Sequence, residues 1–327
     1  MISPVEMDFN RAYQQRKVII LGSTGFIGRW VARALSLQSA NLFLFVRDPA
    51  GAEQLFTKYE IRGKVCASEL ADLERVKKEI EAIQPQVIFN LAGYGVDRSE
   101  RDEAQSYRIN AELVAVLCEA LAGIPADNWH GQRLVHVGSA LEYGEIHGDL
   151  DESSEPLPTT LYGKSKLAGT SKLAGCCQAL SLAGITVRLF TVYGPGEHPT
   201  RLLPSLLQAA RGDEDLPLTG GEQKRDFTYV EDVAEGLLRL GAARSEPGGI
   251  VNLATGILTP VKSFILTAAE ILGLSSGRLK FGVLPSRLEE MEHDPVSIEK
   301  LMRLLGWKPE TTIPLGIRKT LNFLSTF

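Results

Sequence analysis

Short apolar runs alternate with longer amphipathic stretches along the first two thirds of the chain. The apolar runs are rich in β-branched residues and end at glycine, proline or polar residues, as buried strands do. They are KVIIL (17–21), NLFLFV (41–46), KVC (64–66), PQVIFNLAG (85–93), QRLVHVGS (132–139) and ITVRLFTV (185–192). Helical spacing of apolar residues predicts helices over 29–38, 71–83, 104–123 and 160–184.

This alternation predicts an α/β fold with a doubly wound parallel sheet and helices on both faces. After Tyr193 the pattern becomes less regular. The segment 226–241 predicts a strand and a helix, 248–256 one more strand, and the tail after Thr259 two or three helices. We therefore predict a nucleotide-binding domain of residues 1–192 with 227–255, and a smaller α/β substrate-binding cap of residues 193–226 with 256–327.

Composition narrows the functional classes. The formal net charge is −5 and no dense block of Lys and Arg occurs, so we predict no nucleic-acid partner. The four cysteines (Cys66, Cys118, Cys176 and Cys177) lack metal-ligand spacing, so we predict core packing and no metal. No apolar run is long enough to cross a bilayer and the first residues do not resemble a signal peptide. We expect no membrane contact and a cytoplasmic location.

Three glycines follow the first predicted strand at intervals of three residues: Gly22, Gly25 and Gly28. A strand, a glycine-rich turn and a helix form the arrangement that brings backbone N–H groups to a pyrophosphate. The spacing differs from G-x-G-x-x-G, so the match rests on the strand before and the helix after. We predict a dinucleotide site rather than a purely structural turn.

The end of the second predicted strand bears on the choice of cofactor. NAD enzymes usually place an acid there for the ribose hydroxyls, whereas an arginine accommodates the 2′-phosphate of NADP. Arg47 occupies this region and favours NADP. Asp48, one residue further on, leaves NAD as the less favoured alternative.

The stretch YGKSK places Tyr162 and Lys166 one helical turn apart. A nearby ammonium lowers the pKa of a phenol, and such a phenol can act as a general acid or base. We therefore expect Lys166 to lower the pKa of Tyr162.

The chain resembles the extended short-chain dehydrogenase/reductase family, in particular its nucleotide-sugar epimerase, dehydratase and reductase branch. The resemblance covers nearly the whole chain, and the family implies a Rossmann-type sheet. It rests on GSTGFIG, VIFNLAG, YRIN, VHVGSALEYG, YGKSK, VRLFTVYGPG, RDFTYVEDVA, VNLATG and LGWKP, which occur in the family's order.

The resemblance implies a catalytic set of Ser139, Tyr162 and Lys166. Tyr162 would exchange a proton with a substrate oxygen, Ser139 would orient that oxygen, and Lys166 would tune the phenol and hold a cofactor ribose. Asn110 would support the lysine, or be an ordinary polar helix residue. The remaining implied cofactor residues are Gly22, Thr24, Gly25, Phe26, Ile27 and Gly28 in the loop, Arg47, Glu69 near the adenine (or a surface charge), and Leu91, Ala92 and Gly93.

A nucleotide-diphosphate sugar is the implied substrate. Arg225 would meet phosphate or ribose, with Asp226 in support, and Arg201 is a second candidate cation. Ser139, Ala140, Tyr162 and Thr191 would complete the substrate site. Asp97 or Arg98 would shape sugar specificity, or belong to a polar loop. The family also implies a homodimer paired through two helices of each chain.

The chain differs from common family sequences at two places that bear on its reaction and its substrate contacts. The family's 4,6-dehydratases carry an Asp-Glu pair after the serine position, and Ala140 and Leu141 stand there in this chain. Glu142 comes one place too late, which re-aims its side chain, so the sequence argues against dehydration. Thr191 replaces a common asparagine, which puts one substrate hydrogen bond in doubt.

We therefore predict an NADP-dependent reductase of a 4-keto nucleotide-diphosphate sugar. The main alternative is an NAD(P)-dependent nucleotide-sugar epimerase that oxidises and re-reduces one carbon. A reductase of non-nucleotide ketones and a non-catalytic cofactor-binding module are weaker alternatives.

Overall fold

The structure is a computed structural model that describes residues 9–95, 100–145, 149–285 and 295–326 of the 327-residue chain. Its strands are β1 Lys17–Leu21, β2 Asn41–Val46, β3 Lys64–Ala67, β4 Val87–Asn90, β5 Leu134–Ser139, β6 Gly184–Leu189, β7 Thr191–Tyr193, β8 Leu216–Pro217, β9 Lys224–Tyr229, β10 Gly249–Leu253, β11 Leu258–Pro260 and β12 Leu279–Lys280.

The helices lie between these strands and after them. They are α1 Phe26–Leu37, α2 Pro49–Lys58, α3 Leu73–Ile83, α4 Glu103–Tyr107, α5 Leu113–Ala122, α6 Leu161–Leu180, α7 Leu202–Arg211, α8 Val230–Ala242, α9 Val261–Leu272, α10 Glu299–Leu305 and α11 Ile313–Ser325. None of the described helices is both long and apolar enough to span a membrane.

Seven parallel strands form the main sheet in the order β10-β6-β5-β4-β1-β2-β3. The chain builds β1 to β3 outward, then returns to the other side of β1 to add β4. The strand order therefore reverses between β1 and β4, and ligands of open α/β sheets bind at the carboxyl edge of such a reversal. This confirms the predicted doubly wound α/β class.

Alternate residues of β1 face two separate cores. Val18 and Ile20 pack with α1 and α8 on one face, and Ile19 and Leu21 pack with α3 and α5 on the other. Because both faces are covered, the strand is apolar throughout, which explains why the sequence shows a continuous apolar run instead of alternation.

Two elements differ from the sequence-based expectation. The helix expected over 104–123 is interrupted by a π-helical turn, Arg108–Glu112, between α4 and α5. The strand expected over 185–192 breaks at Phe190, so that β6 ends in the main sheet and β7 joins a second sheet. Propensity and periodicity do not report such breaks, because tertiary contacts impose them.

The second sheet has the order β11-β9-β7, and β12 pairs with β8 in a third. These small sheets draw on residues 191–193, 216–217, 224–229, 258–260 and 279–280. The exact division of the chain into a nucleotide-binding domain and a cap stays a prediction.

Candidate active site

The glycine loop between β1 and α1 is closed tightly against the end of β4. Gly22 has φ +78°, and a Cβ there would lie 2.8 Å from the carbonyl group of Leu91 and 2.9 Å from the nitrogen of Ala92. A Cβ on Gly28 would overlap the carbonyl oxygen of Gly22. The sequence needs glycine at these two positions for close approach of backbone segments.

The amino end of α1 leaves donors for an anion. The N-cap residue is Gly25, which has no side chain to cap the helix. The N–H groups of the first turn, which includes Phe26 and Ile27, can therefore donate to a bound anion. Arg29 braces the loop through the carbonyl oxygens of Thr24 (Nη2 at 2.8 Å) and Gly25 (Nε at 3.0 Å). This loop fits the pyrophosphate of a dinucleotide.

The predicted adenosine end lies at the carboxyl ends of β2 and β3. The Ser23 hydroxyl donates to the carbonyl of Phe45 at 3.2 Å, which ties the glycine loop to the end of β2. Arg47 is exposed there, whereas Asp48 caps α2 by accepting from the N–H of Ala50 at 3.1 Å. Glu69 is also exposed and accepts from the N–H of Ala71 at 3.2 Å.

The expected catalytic residues come from neighbouring elements. Ser139 ends β5, and its Oγ accepts from the N–H of Leu141 at 3.2 Å. Thr160 caps α6 through the N–H of Gly163 at 3.0 Å, which places Tyr162 and Lys166 on the first two turns of that helix. A Cβ on Gly93, after β4, would lie 3.9 Å from the Tyr162 hydroxyl. The ends of β4, β5 and α6 therefore meet at one edge of the sheet.

Asn110 fastens the loop after β4 to α6. Its Oδ1 accepts from the N–H of Tyr94 at 3.0 Å, and its Nδ2 donates to the Tyr94 carbonyl at 2.8 Å and to Ser165 Oγ at 2.9 Å. The residue lies in the π-helical turn and is fully buried. Its three hydrogen bonds account for the burial of this polar side chain, and its support of Lys166 stays a prediction.

Burial controls the ionisation of the Tyr162–Lys166 pair. It lowers the pKa of Lys166 to about 8, against an opposing effect of the Glu142 carboxylate. It raises the pKa of Tyr162 well above its usual value, with Glu142 adding to the rise and Arg201 opposing it. The expectation that Lys166 lowers the pKa of Tyr162 is therefore wrong for the polypeptide chain, because desolvation of the phenol dominates.

Glu142 is the residue whose role sequence reasoning missed. Its Oε1 accepts from the N–H of Ser139 at 2.8 Å, and its Oε2 lies 3.0 Å from Nε of Arg188. Both carboxylate oxygens of Glu142 are therefore engaged by the protein itself. The signal was present in the sequence, because S-A-L-E from Ser139 to Glu142 matches the capping-box pattern S-x-x-E.

The expected substrate residues lie on or beside β5, α6, β7, α7 and β9. Thr191 begins β7, and Arg201 is the residue before α7, close enough to Tyr162 to affect its pKa. Arg225 is half-buried on β9. Ala140, fully enclosed, follows Ser139. Asp97 and Arg98 lie outside the described residues.

Asp226 is a structural carboxylate. It accepts from the N–H groups of Thr255, Gly256 and Ile257 at 2.8–3.1 Å, and from the hydroxyls of Thr255 and Thr228. These hydrogen bonds hold the loop that connects β10 to β11 of the second sheet.

Glu197 is a second acidic residue that the sequence did not single out. It follows the turn after β7, and burial raises the pKa of its carboxyl to about 8, with Arg201 opposing the shift. Its Oε2 is buried with no hydrogen-bond partner among the described residues.

Comparison with known proteins identifies relatives over almost the full chain. Residues 18–254 match the NAD dependent epimerase/dehydratase family. The chain is 28% identical to a dTDP-6-deoxy-L-talose 4-dehydrogenase (NAD(P)(+)) of Kitasatospora kifunensis, over 95% of this chain and 96% of that protein. It is 26% identical to a dTDP-glucose 4,6-dehydratase of Salmonella typhimurium, over 94% of this chain and 92% of the other.

Solved structures show the same fold. A UDP-glucose 4-epimerase of Thermotoga maritima with UDP-glucose superposes with a TM-score of 0.83 at 21% identity, over 95% of this chain and 99% of that one. An epimerase of Methanothermobacter thermautotrophicus gives a TM-score of 0.82 at 23% identity, over 98% and 95% of the two chains. With the match to the family model, and with a glycine loop and a Ser-Tyr-Lys set at one sheet edge, the chain belongs to the NAD-dependent epimerase/dehydratase family of extended short-chain dehydrogenases/reductases.

Proposed function

We propose that the protein is an NADP-dependent reductase that converts the 4-keto group of a nucleotide-diphosphate sugar into a hydroxyl. The observation that carries this proposal is the pairing of a complete Ser139–Tyr162–Lys166 set with the absence of the dehydratase acids at positions 140 and 141. Glu142 cannot replace those acids, because the Ser139 N–H and Arg188 engage its two oxygens.

The residues of the chain fit the cofactor. The Gly22–Gly28 turn leaves no room for a Cβ and presents the α1 amino end, as a pyrophosphate requires. NADPH, when bound, supplies the hydride. Arg47 is exposed at the end of β2, while the Asp48 carboxylate is engaged as a helix cap, which favours the 2′-phosphate of NADP over the free ribose of NAD.

The side chains of the protein donate the proton and orient the substrate oxygen. Tyr162 stays protonated at neutral pH because burial raises its pKa, so it is the proton donor to the alkoxide that forms at the sugar carbon. The Lys166 ammonium balances the phenolate left behind and holds the cofactor ribose. The Ser139 hydroxyl donates to the substrate oxygen and orients it.

The relatives support a sugar substrate and a redox step at the same carbon. The Kitasatospora kifunensis protein is a 4-dehydrogenase of a dTDP-6-deoxy sugar with NAD(P)(+), and oxidation at that carbon is the reverse of 4-keto reduction. Arg201, near Tyr162, and Arg225 on β9 are the cations we assign to the substrate diphosphate.

The direct test mixes the purified protein with dTDP- and UDP-4-keto-6-deoxy sugars and follows the consumption of NADPH and of NADH. We expect turnover with NADPH and release of the oxidised cofactor. Interconversion of a nucleotide sugar without net cofactor consumption, by protein that retains its cofactor through purification, would identify an epimerase instead.

Tyr162→Phe tests the role of the phenol. The variant keeps the ring and loses the proton, so we expect kcat to fall by about 10²-fold or more while the Kd for NADPH changes little. Tyr107→Phe, a half-buried tyrosine of α4, is the matched control and should retain normal turnover. Near-normal activity of Tyr162→Phe would remove the tyrosine from the mechanism.

The homodimer also stays a prediction. The exposed positions of α6 include both polar residues, such as Lys164, Ser171 and Lys172, and the apolar Ala179 and Leu180.

A further inference from the structure

A buried ion pair lies directly beneath the candidate catalytic set. Glu142 Oε2 and Arg188 Nε are 3.0 Å apart, and the two side chains are 0% and 1% exposed. Residues 138 and 188 are paired neighbours on β5 and β6, so the pair spans the strand that ends in Ser139. The proposed reaction assigns no step to either residue.

The Glu142 carboxylate joins three elements. Its Oε1 accepts from the N–H of Ser139, and its Oε2 accepts from Thr170 Oγ1 on α6 at 2.9 Å as well as from Arg188 on β6. The fit is close, since a Cβ on Gly138 would lie 2.5 Å from Oε1. The backbone of Ser139 is therefore held from below by a charge-assisted hydrogen bond, while its Oγ is held by the N–H of Leu141.

Stability alone is a weak reason for this arrangement. Removing two charges from water is costly, and apolar replacements of buried ion pairs are often neutral or stabilising. The Glu142 carboxylate instead connects the backbone of Ser139 to Thr170 on α6, the helix that carries Tyr162 and Lys166. Its negative charge raises the pKa of both of these residues.

Charged groups other than Glu142 also lie around Tyr162 and Lys166. Glu142 is the carboxylate that raises the pKa of Lys166 against burial. His136, fully buried on β5, is itself affected by the Lys166 ammonium. The charged or titratable groups around the set are Glu142 after β5, His136 on β5, Arg188 on β6, Glu100 before α4 and Arg201 before α7.

We propose that Glu142 is a positioning residue for the Ser139–Tyr162–Lys166 set, acting through the peptide N–H of Ser139 and through the negative charge that Arg188 and Thr170 hold in place. Its negative charge favours the protonated form of Lys166. The proposal rests on the proposed function in taking Tyr162 and Lys166 as the reacting pair, but its first test needs no substrate.

The first test titrates Lys166 by NMR in protein that carries ε-carbon-labelled lysine, with the signal assigned from Lys166→Arg. Glu142→Gln keeps a hydrogen-bond acceptor for Ser139 and removes the charge. We expect the pKa of Lys166 to fall by about one unit or more, the usual effect of an opposite charge at short range. Glu119→Gln, which breaks the exposed pair with Lys77, is the control and should leave the Lys166 titration unchanged.

The second test separates charge from geometry. Thr170→Val removes one hydrogen bond to the carboxylate and keeps its charge, so we expect a lower kcat with an almost unchanged Lys166 titration. With the NADPH-dependent reaction in hand, Glu142→Gln should also move the basic limb of the kcat/KM pH profile to lower pH, which a merely structural role would not do.

The proposal can still be tested if Glu142→Gln does not fold. If Glu142→Gln is unstable, the double variant Glu142→Gln/Arg188→Met leaves no unpaired charge and should still lower the pKa of Lys166, by less than the single variant because the opposing Arg188 charge is also lost. An unchanged Lys166 titration in whichever of these variants folds would overturn the proposal. Failure of the keto-sugar assay together with a shifted titration would instead reject the proposed function and keep the role of Glu142.

Discussion

Lys166 is a buried lysine of the candidate active site that ionises near neutral pH. Burial lowers its pKa to about 8, whereas the pKa of Tyr162 is raised by burial. At neutral pH the pair is therefore a protonated amine beside a protonated phenol. That state suits proton donation to a developing alkoxide, and it is lost from the lysine side first as pH rises.

The affinity for NADPH should therefore depend on pH through Lys166. Below a pH of about 8 the ammonium is present and can hold the ribose, and above it the neutral amine binds less well, so the Kd should rise with pH through this range. Fluorescence titration of NADPH across this range measures the effect. Lys166→Met should bind weakly at every pH, and Lys164→Met, an exposed neighbour on α6, should behave as the parent.

Arg47 should determine the preference between the two cofactors. Arg47→Asp removes the charge-assisted hydrogen bonds to the 2′-phosphate and places an acid near the ribose, so we expect the ratio of kcat/KM for NADPH to that for NADH to fall by about 10-fold or more. Arg62→Asp, an exposed arginine before β3, provides the charge-matched control. Equal loss with both cofactors would show that Arg47 does not contact the phosphate.

At the scale of elements, the site depends on how closely α6 approaches the π-helical turn. Gly169 faces the carbonyl of Asn110, and a Cβ there would overlap that oxygen and lie 3.1 Å from Nε2 of His136. Two turns before it, Tyr162 reaches the loop after β4. The spacing between these helices thus sets the position of Tyr162 and Lys166 relative to Ser139.

Two glycine substitutions on α6 should have opposite effects on stability. Gly169→Ala overpacks a closed contact and should lower the free energy of unfolding by about 1–3 kcal/mol. Gly175→Ala meets nothing within 4 Å and improves helix propensity, so it should raise stability by about 0.5–1 kcal/mol. Chemical denaturation measures both, and a stabilised Gly169→Ala would contradict the close contact.

At the scale of the whole molecule, the turn after β7 links the second sheet to the layer of α1. The indole N–H of Trp30 donates to the carbonyl of Pro195 at 2.9 Å, and a Cβ on Gly196 would meet the hydroxyl of Tyr59 at 2.5 Å. Glu197 follows in this turn and is buried with a pKa of about 8. Ionisation of the Glu197 carboxyl should therefore change the free energy of unfolding.

Glu197 should make the protein less stable as pH rises. Its pKa is about 8 when folded against 4.5 as the ordinary value, so its favourable contribution is complete below 4.5 and is lost as pH rises through 8. The free energy of unfolding of the parent should fall relative to Glu197→Gln across this range. Glu222→Gln, at a side chain that is 83% exposed, is the control and should show no such trend. Parallel curves for parent and Glu197→Gln would contradict the buried acid.

Features that lie within a single strand, loop or helix could be predicted from the sequence. The buried strands and the helical spacing follow from periodicities that backbone geometry imposes, so the α/β class needed no tertiary information. The glycine loop and the Tyr162–Lys166 spacing were equally visible in the sequence, and the dinucleotide site that they indicate stays a prediction. The sequence also shows directly that the dehydratase acids are missing, because Ala140 and Leu141 occupy their positions.

The energetics of the site depended on contacts between distant segments. The pKa of Tyr162 depends on desolvation, which residue spacing does not show, and burial raises it. The partner of Glu142, Arg188, lies 46 positions away along the chain and was brought to it only by the pairing of β5 with β6. Sequence determined which groups are present, and packing decided which of them are charged, engaged or free to react, because solvation and long-range contacts exist only in the folded chain.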